Sequence, residues 1–142
     1  MSIKEQSFSV EMVGYEMKAE LKRIGSDILI LLTGGDTPHI GTVTVFSEND
    51  PASSFRFPSH SGRKHKDDVL AEIVLKIIQP ALRGNCVITS GIHVDHITQE
   101  QIQAASKMAS HLGTAILHWL QEHPAEAKEP IYYNANESPL EK

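Results

Sequence analysis

Gly34-Gly35-Asp36-Thr37-Pro38-His39-Ile40-Gly41 places three glycines and a proline between two stretches that both read as strands. Upstream, Asp27-Ile28-Leu29-Ile30-Leu31-Leu32-Thr33 is a short apolar run of the kind found in fully buried strands. Downstream, Thr42-Val43-Thr44-Val45-Phe46 is β-branched and alternates with period two. The chain is therefore committed to a sheet, with a shape-determined loop between two of its strands. Glycine takes positive φ without a Cβ penalty and lets a ligand approach the main chain, while Pro38 stiffens the turn. Main-chain N–H groups exposed in such a turn can form an anion-binding nest. An ordinary hairpin loop satisfies the same pattern.

Other strands follow from alternation and turn residues. Phe8, Val10 and Met12 share one parity, and Tyr15, Met17, Ala19 and Leu21 continue on the other after Gly14, a switch that a bulge would explain. Gly25-Ser26-Asp27 marks a hairpin turn. These signals predict strands over 8–13, 15–23, 27–33 and 41–46, as a meander of antiparallel neighbours. Asp67-Asp68 opens a helix with Val69, Leu70, Ile73, Val74, Ile77 and Ile78 on one broad face, ended by Pro80 and Gly84. Asn85–Ser90 is a further strand. Thr98 with Gln101 three residues on is a capping box. The helix it opens extends to about Glu122 on a stripe of Ile102, Ala105, Met108, Leu112, Ile116, Trp119 and Leu120. His111 and His118 fall beside that stripe and read as surface residues. The fold class expected is α+β: an antiparallel-rich sheet with two main helices packed on one face. Residues 1–123 form one domain, and 124–142 an extended tail whose Ile131-Tyr132-Tyr133 docks on the domain or on a partner chain.

A chain of 142 residues suits a single core, and 40% hydrophobic with 22% charged residues fits a globular protein. A net charge of −5 disfavours a nucleic-acid binder. One cysteine, Cys86, excludes an intramolecular disulfide and a thiolate cluster, and its apolar setting reads as a buried, inert thiol. With neither a leader-like N-terminus nor a membrane-length apolar run, a cytoplasmic location is expected. Consecutive antiparallel strands leave edges to protect, which predicts a homodimer.

Residues 47–66 show no helical or strand period, and a loop of this length is usually functional or disordered. Arg56, Arg63, Lys64 and Lys66 outweigh Glu48 and Asp50 there, and Ser53, Ser54, Ser59 and Ser61 add hydroxyl donors. Such groups converging on one loop suit a phosphate or carboxylate, although a solvated charge run has the same composition. The two aspartates that follow already serve the helix dipole, so His65 and Lys66 are better phosphate candidates than the helix end.

His93-Val94-Asp95-His96 sets three proton carriers at the C-terminal end of a strand, where α/β-type sites commonly lie. With Asp36 and His39 they can supply a His/Asp shell for zinc or non-haem iron. Against this, His93 and Asp95 share a face from which His96 points away, and the spacing matches no metal motif. Hydrogen bonding within a turn, or to a ligand, is the preferred reading. No nucleophile elbow, P-loop or dinucleotide fingerprint is present.

Taken in order, Gly34–Gly41, His65-Lys66-Asp67-Asp68, and Gly91-Ile92-His93-Val94-Asp95 before a long helix resemble the LpdD-like prenylated-flavin chaperones. These are small proteins found alongside gallate-type and hydroxyarylic-acid decarboxylases. The resemblance spans roughly 27–121. It implies a non-catalytic chaperone that binds prenylated FMN, or FMN, and assists its delivery to or maturation in a UbiD-type decarboxylase. The cofactor-binding set is then Gly34, Gly35, Asp36, His39, Gly41, Ser53, Arg63, His65, Lys66, His93 and Asp95, with no catalytic and no metal-binding residue. The basic loop would meet the dianionic phosphate, and Phe46, Phe55 and Phe57 the isoalloxazine. The alternatives are a small metal-dependent enzyme using His39, His93, Asp95 and His96, or a ligand-free decarboxylase subunit.

Overall fold

Alternation decides the first part of the fold: in β2 (Tyr15–Ile24) the residues Tyr15, Met17, Ala19, Leu21 and Arg23 are buried, while Glu16, Lys18, Glu20 and Lys22 turn outward. The computed structural model describes residues 5–58, 67–126 and 129–139. β1 (Glu5–Met12) pairs antiparallel with β2, Met12 opposite Tyr15. The two residues between them, Val13 and Gly14, have φ of 43° and 86°. Two consecutive positive φ values match the mirror-image turn that fits strand twist. The parity switch at Gly14 therefore comes from chain reversal and not from the expected bulge. β2 pairs in turn with β3 (Asp27–Gly35) across Gly25-Ser26, as the turn residues predict.

The expected meander stops at β3. The remaining strands are β4 (Thr42–Ser47), β5 (Ser53–Arg56) and β6 (Asn85–His93), and the sheet order is β1-β2-β3-β6-β4-β5. β6 inserts between β3 and β4, parallel to β3 and antiparallel to β4. β3 is apolar on both faces and β6 buries Cys86 and Ile88 beside it, which suits the middle of a sheet, whereas β5 is short and exposed throughout. β5 falls in the stretch that shows no period by sequence, because its burial is uniform and pairing with β4 alone makes it a strand.

α1 (Asp68–Ile78), a 3-10 turn at Gln79–Ala81, and α2 (Gln99–Glu122) complete the fold. Both helices pack on one face of the mostly antiparallel sheet, the α+β arrangement expected. α1 buries Ala71, Val74, Leu75 and Ile78, while Val69 is exposed. α2 buries Met108, Leu112, Ile116, Trp119 and Leu120 of the predicted stripe, with Ala104, Ala109 and Gly113 added. Ile102 is exposed, because polar contacts hold the start of this helix instead. Thr98 and Gln101 form the reciprocal cap, Gln101 Nε2 donates to Val13 O at 3.0 Å, and Tyr15 donates to Gln101 O at 3.1 Å. At the other end of α2 the Arg23 guanidinium lies 5.0 Å above Trp119 and donates to His123 O at 2.6 Å. Burial lowers the Arg23 pKa. His111 and His118 are exposed, as read. Among the described residues no helix is long and apolar enough to cross a membrane. Ile131, Tyr132 and Tyr133 of the tail are all exposed, so the tail apolar cluster does not dock on its own domain.

Two outcomes follow for stability. Val13 is β-branched at positive φ, which costs on the order of 1 kcal/mol, so Val13→Asn, creating the Asn-Gly pair this turn favours, should stabilise the chain by about 1 kcal/mol in denaturant titration. Burial pushes the Cys86 thiol up to about 12. An unfolded thiol ionises near ~8.5, so the stabilisation from this shift is complete below that pH. It is lost as pH rises above it, by up to about 1.4 kcal/mol per pH unit. An alkylating reagent at mildly alkaline pH should therefore modify Cys86 only on unfolding.

Candidate functional site

Parallel pairing puts the C-terminal ends of β3 and β6 side by side, with Gly35 opposite His93. The loop that follows β3 then crosses the end of β6 and is strapped to it by main-chain bonds. Asp36 N and Thr37 N donate to His93 O at 2.6 and 3.3 Å, His39 N donates to Gly91 O at 3.4 Å, and Gly41 N donates to Ser90 O at 2.9 Å. It is a crossing strap between strands that are not neighbours, so the ordinary hairpin reading does not hold. Two glycines are required by this geometry. Gly35 has φ 78°, and a Cβ at Gly91 would overlap the carbonyl of His39.

Side chains extend the strap. Asp36 Oδ2 accepts from Asp95 N at 2.8 Å, and His93 Nε2 donates to Asp95 Oδ1 at 3.0 Å. His39 Nδ1 contacts Thr37 O at 2.9 Å, and its Nε2 lies 3.7 Å from Asp67 Oδ2. Asp67 Oδ1 accepts from Ile92 N at 3.4 Å. The Asp67 carboxylate therefore serves β6 and the loop and does not cap α1, whose first amides bond its main-chain carbonyl. Gly34, Gly35, Asp36, His39, Gly41, His93 and Asp95 are thus brought to one end of the sheet. The shared face of His93 and Asp95 is as predicted. Among the described residues no group of three or more His, Cys, Asp or Glu is placed to hold one metal ion.

Ser53 does not join them. It opposes Val45, which opposes Val87, six residues before His93 and so about 20 Å down the strand. Arg63, His65 and Lys66 lie outside the described residues. The residues that flank that segment do reach the site: Phe57 N donates to Gly41 O at 2.9 Å, and Asp67 contacts His39. Phe46 is buried in the core and unavailable to a ligand, because the alternation of β4 turns Thr42, Thr44 and Phe46 inward. Phe55 and Phe57 are exposed, ring centroids 5.0 Å apart and edge to face.

Sequence reasoning missed a polar group beneath the strap. Thr42 stands between Ser90 and Arg56 in register, and Arg56 binds the buried Asp68 through Nε and Nη2, both at 3.2 Å from Oδ2. Thr42 Oγ1, Ser90 Oγ and Asp68 Oδ1 are buried with no hydrogen-bond partner. Unsatisfied buried groups are rare in folded proteins and often mark a site for water or a ligand. Their one signal in the sequence is hydroxyl residues at inward parity. The hydroxyls of Thr42 and Ser90 are sealed beneath the strap, whereas the exposed described groups at this end are imidazoles and carboxylates, which can hydrogen-bond the heteroatoms of a flavin. They do not fit its phosphate, since Arg56 is already paired and Asp36, Asp67, Asp68 and Asp95 surround the strap. A cavity of about 690 Å³ lies at the opposite end of the sheet, lined by Arg23, Ile28, Arg83, Leu117 and Leu120.

Gly91→Ala should force the strap away from β6. The expected loss is about 1–3 kcal/mol, read as a lowered Tm, with a core that otherwise packs normally.

The sequence was compared with known proteins. The family model for the prenylated flavin chaperone LpdD-like domain matches residues 11–121. Protein LpdD of Lactiplantibacillus plantarum is 47% identical over 133 residues, covering 94% of this chain and 98% of that protein. The matched span takes in the strap, the end of β6, α1 and nearly all of α2.

Proposed function

The chain belongs to the LpdD-like prenylated flavin chaperone family, and from that premise we propose that it binds prenylated FMN and assists its delivery to, or maturation in, a UbiD-type decarboxylase. In this reading it catalyses no reaction of its own and acts as a cytoplasmic homodimer. The observation that carries the site assignment is the convergence of the strap, His93, Asp95 and both flanks of the basic segment at one end of the sheet. The phosphate belongs to Arg63, Lys64, His65 and Lys66, because the described residues at that end supply carboxylates. His93 and Asp95, both exposed, offer hydrogen bonds to the polar edge of the flavin, and Phe55 with Phe57 offers an aromatic surface. When bound, the prenylated flavin supplies chemistry that the partner enzyme uses, and this chain holds and protects it.

Titration of prenylated FMN, followed by its absorbance and fluorescence, tests the assignment. Lys66→Ala removes one charged hydrogen bond, worth roughly 1.5–3 kcal/mol, so Kd should rise about ten- to hundredfold. Arg63→Ala should give a smaller, salt-dependent loss. Arg83→Ala, which lines the opposite cavity, should leave Kd unchanged. The reverse pattern would move the ligand to that cavity. Chelation should leave both Kd and Tm unaltered, and a loss of flavin binding on chelation would favour the metal-dependent alternative.

A further inference from the structure

A buried cation without a carboxylate partner stands at the end of the sheet opposite the strap. Arg23 is the last inward residue of β2 and is 7% exposed. Its Nη1 donates to His123 O and its guanidinium lies over Trp119, while Nε is buried with no hydrogen-bond partner. Among the described residues no carboxylate forms an ion pair with it. Arginine keeps its charge at any ordinary pH, and charges buried in folded proteins are paired, because desolvation otherwise leaves them costly. The C-terminus of α2 meets part of this need through the His123 carbonyl. A helix end carries only about half an elementary charge, so a full buried cation is left undercompensated.

The same side chain lines the cavity of about 690 Å³, a size usual for small-molecule sites. Arg83, exposed where Arg23 is buried, adds a second cation, whose contact with Glu48 is long, at 3.7 Å, and open to solvent. Ile28, Leu117 and Leu120 supply apolar wall, and Pro124 and Pro130 of the tail line one side. Glu129 lines the cavity as well but pairs with neither arginine, and no aromatic side chain is among the lining residues.

We propose that this cavity binds a small monocarboxylic acid with an aliphatic body, its carboxylate against Arg23 and its hydrocarbon against Ile28, Leu117 and Leu120. A planar guanidinium matches a carboxylate in shape and charge. One buried cation suits one negative charge, and apolar walls cannot solvate the second charge of a phosphate. Aliphatic walls reward burial of an aliphatic body. The site is separate from the flavin end of the sheet and does not depend on that assignment.

Cyclohexanecarboxylate, which does not absorb where tryptophan does, is the probe. Trp119, the one tryptophan of the chain and the ring beneath Arg23, is the reporter. Titration into the full chain should give a saturable fluorescence change with a Kd of about 1 mM or below, and should raise Tm. Cyclohexanecarboxamide has the body without the charge, and acetate the charge without the body, so each should bind at least about tenfold more weakly. Arg23→Gln should abolish binding. Should that variant fail to fold, Gln121→Glu decides, because Gln121 is exposed and lines the cavity. A negative charge there should keep the native circular dichroism and raise Kd at least about threefold, less so in high salt. Equal affinity for acid and amide, or a Kd that no variant moves, overturns the proposal. Displacement of the probe by prenylated FMN overturns a separate site and brings the flavin here. The absence of saturable binding also overturns it, and a Tm lowered by Glu129→Gln would then name Glu129 as the counter-charge.

Discussion

Parallel strands finish at the same end of a sheet, and because β3 and β6 run side by side from Ile28 and Cys86 to Gly35 and His93, the glycine-rich loop after β3 and the distant His93-to-Ile97 segment are delivered to one place. Everything at the candidate site depends on that pairing. With an antiparallel neighbour in place of β6, the loop after β3 would meet the start of a strand, and His93 and Asp95 would lie at the far end. The order β3-β6-β4 also obliges the chain between β3 and β4 to cross the end of β6. The crossing satisfies its main-chain amides on the carbonyls of Ser90, Gly91 and His93, so the strap is held by backbone bonds before any side chain contributes.

That arrangement changes what the carboxylates do. Asp36 and Asp67 both accept main-chain N–H groups of the segment around His93, so they fix the strap and do not wait for a cation. Charged acceptors for amides are among the stronger hydrogen bonds. Asp68 holds Arg56, so that guanidinium is committed to an ion pair beneath the strap. Arg63, Lys64 and Lys66 fall in the sequence between Phe57 and Asp67, both of which are anchored at this end.

The helix layer leaves the sheet asymmetric. On the covered face, packing from Met17, Ile30, Leu32, Ile88, Met108, Leu112 and Ile116 forms one core. On the other, aliphatic side chains of β3, β6 and β4 sit in the middle of the sheet, with charges on β1 and β2 beside them, where Glu5 bridges Lys22 at 3.2 Å. A monomer would expose apolar area at the place where burial is worth about 25 cal/mol per Å².

Local rules were readable in the sequence. The capping box at Thr98 and Gln101, the Gly25-Ser26 turn, both helices, the buried inert thiol of Cys86 and the shared face of His93 with Asp95 all depend on residues a few positions apart, and each has the form read from them. Membership of the family was also legible, because its motifs are contiguous. Strand order was not: alternation tells which residues share a face but names neither the neighbouring strand nor the covered side. Hence the meander was wrong beyond β3, Phe46 proved to be core, Ser53 lay far from the site, and the Arg56, Asp68, Thr42 and Ser90 group went unseen. By itself the sequence determined the elements, their turns and the family. Only the tertiary structure decided which ends meet, because the insertion of β6 between β3 and β4 is a long-range choice made by apolar burial on a whole sheet, and no local signal encodes it.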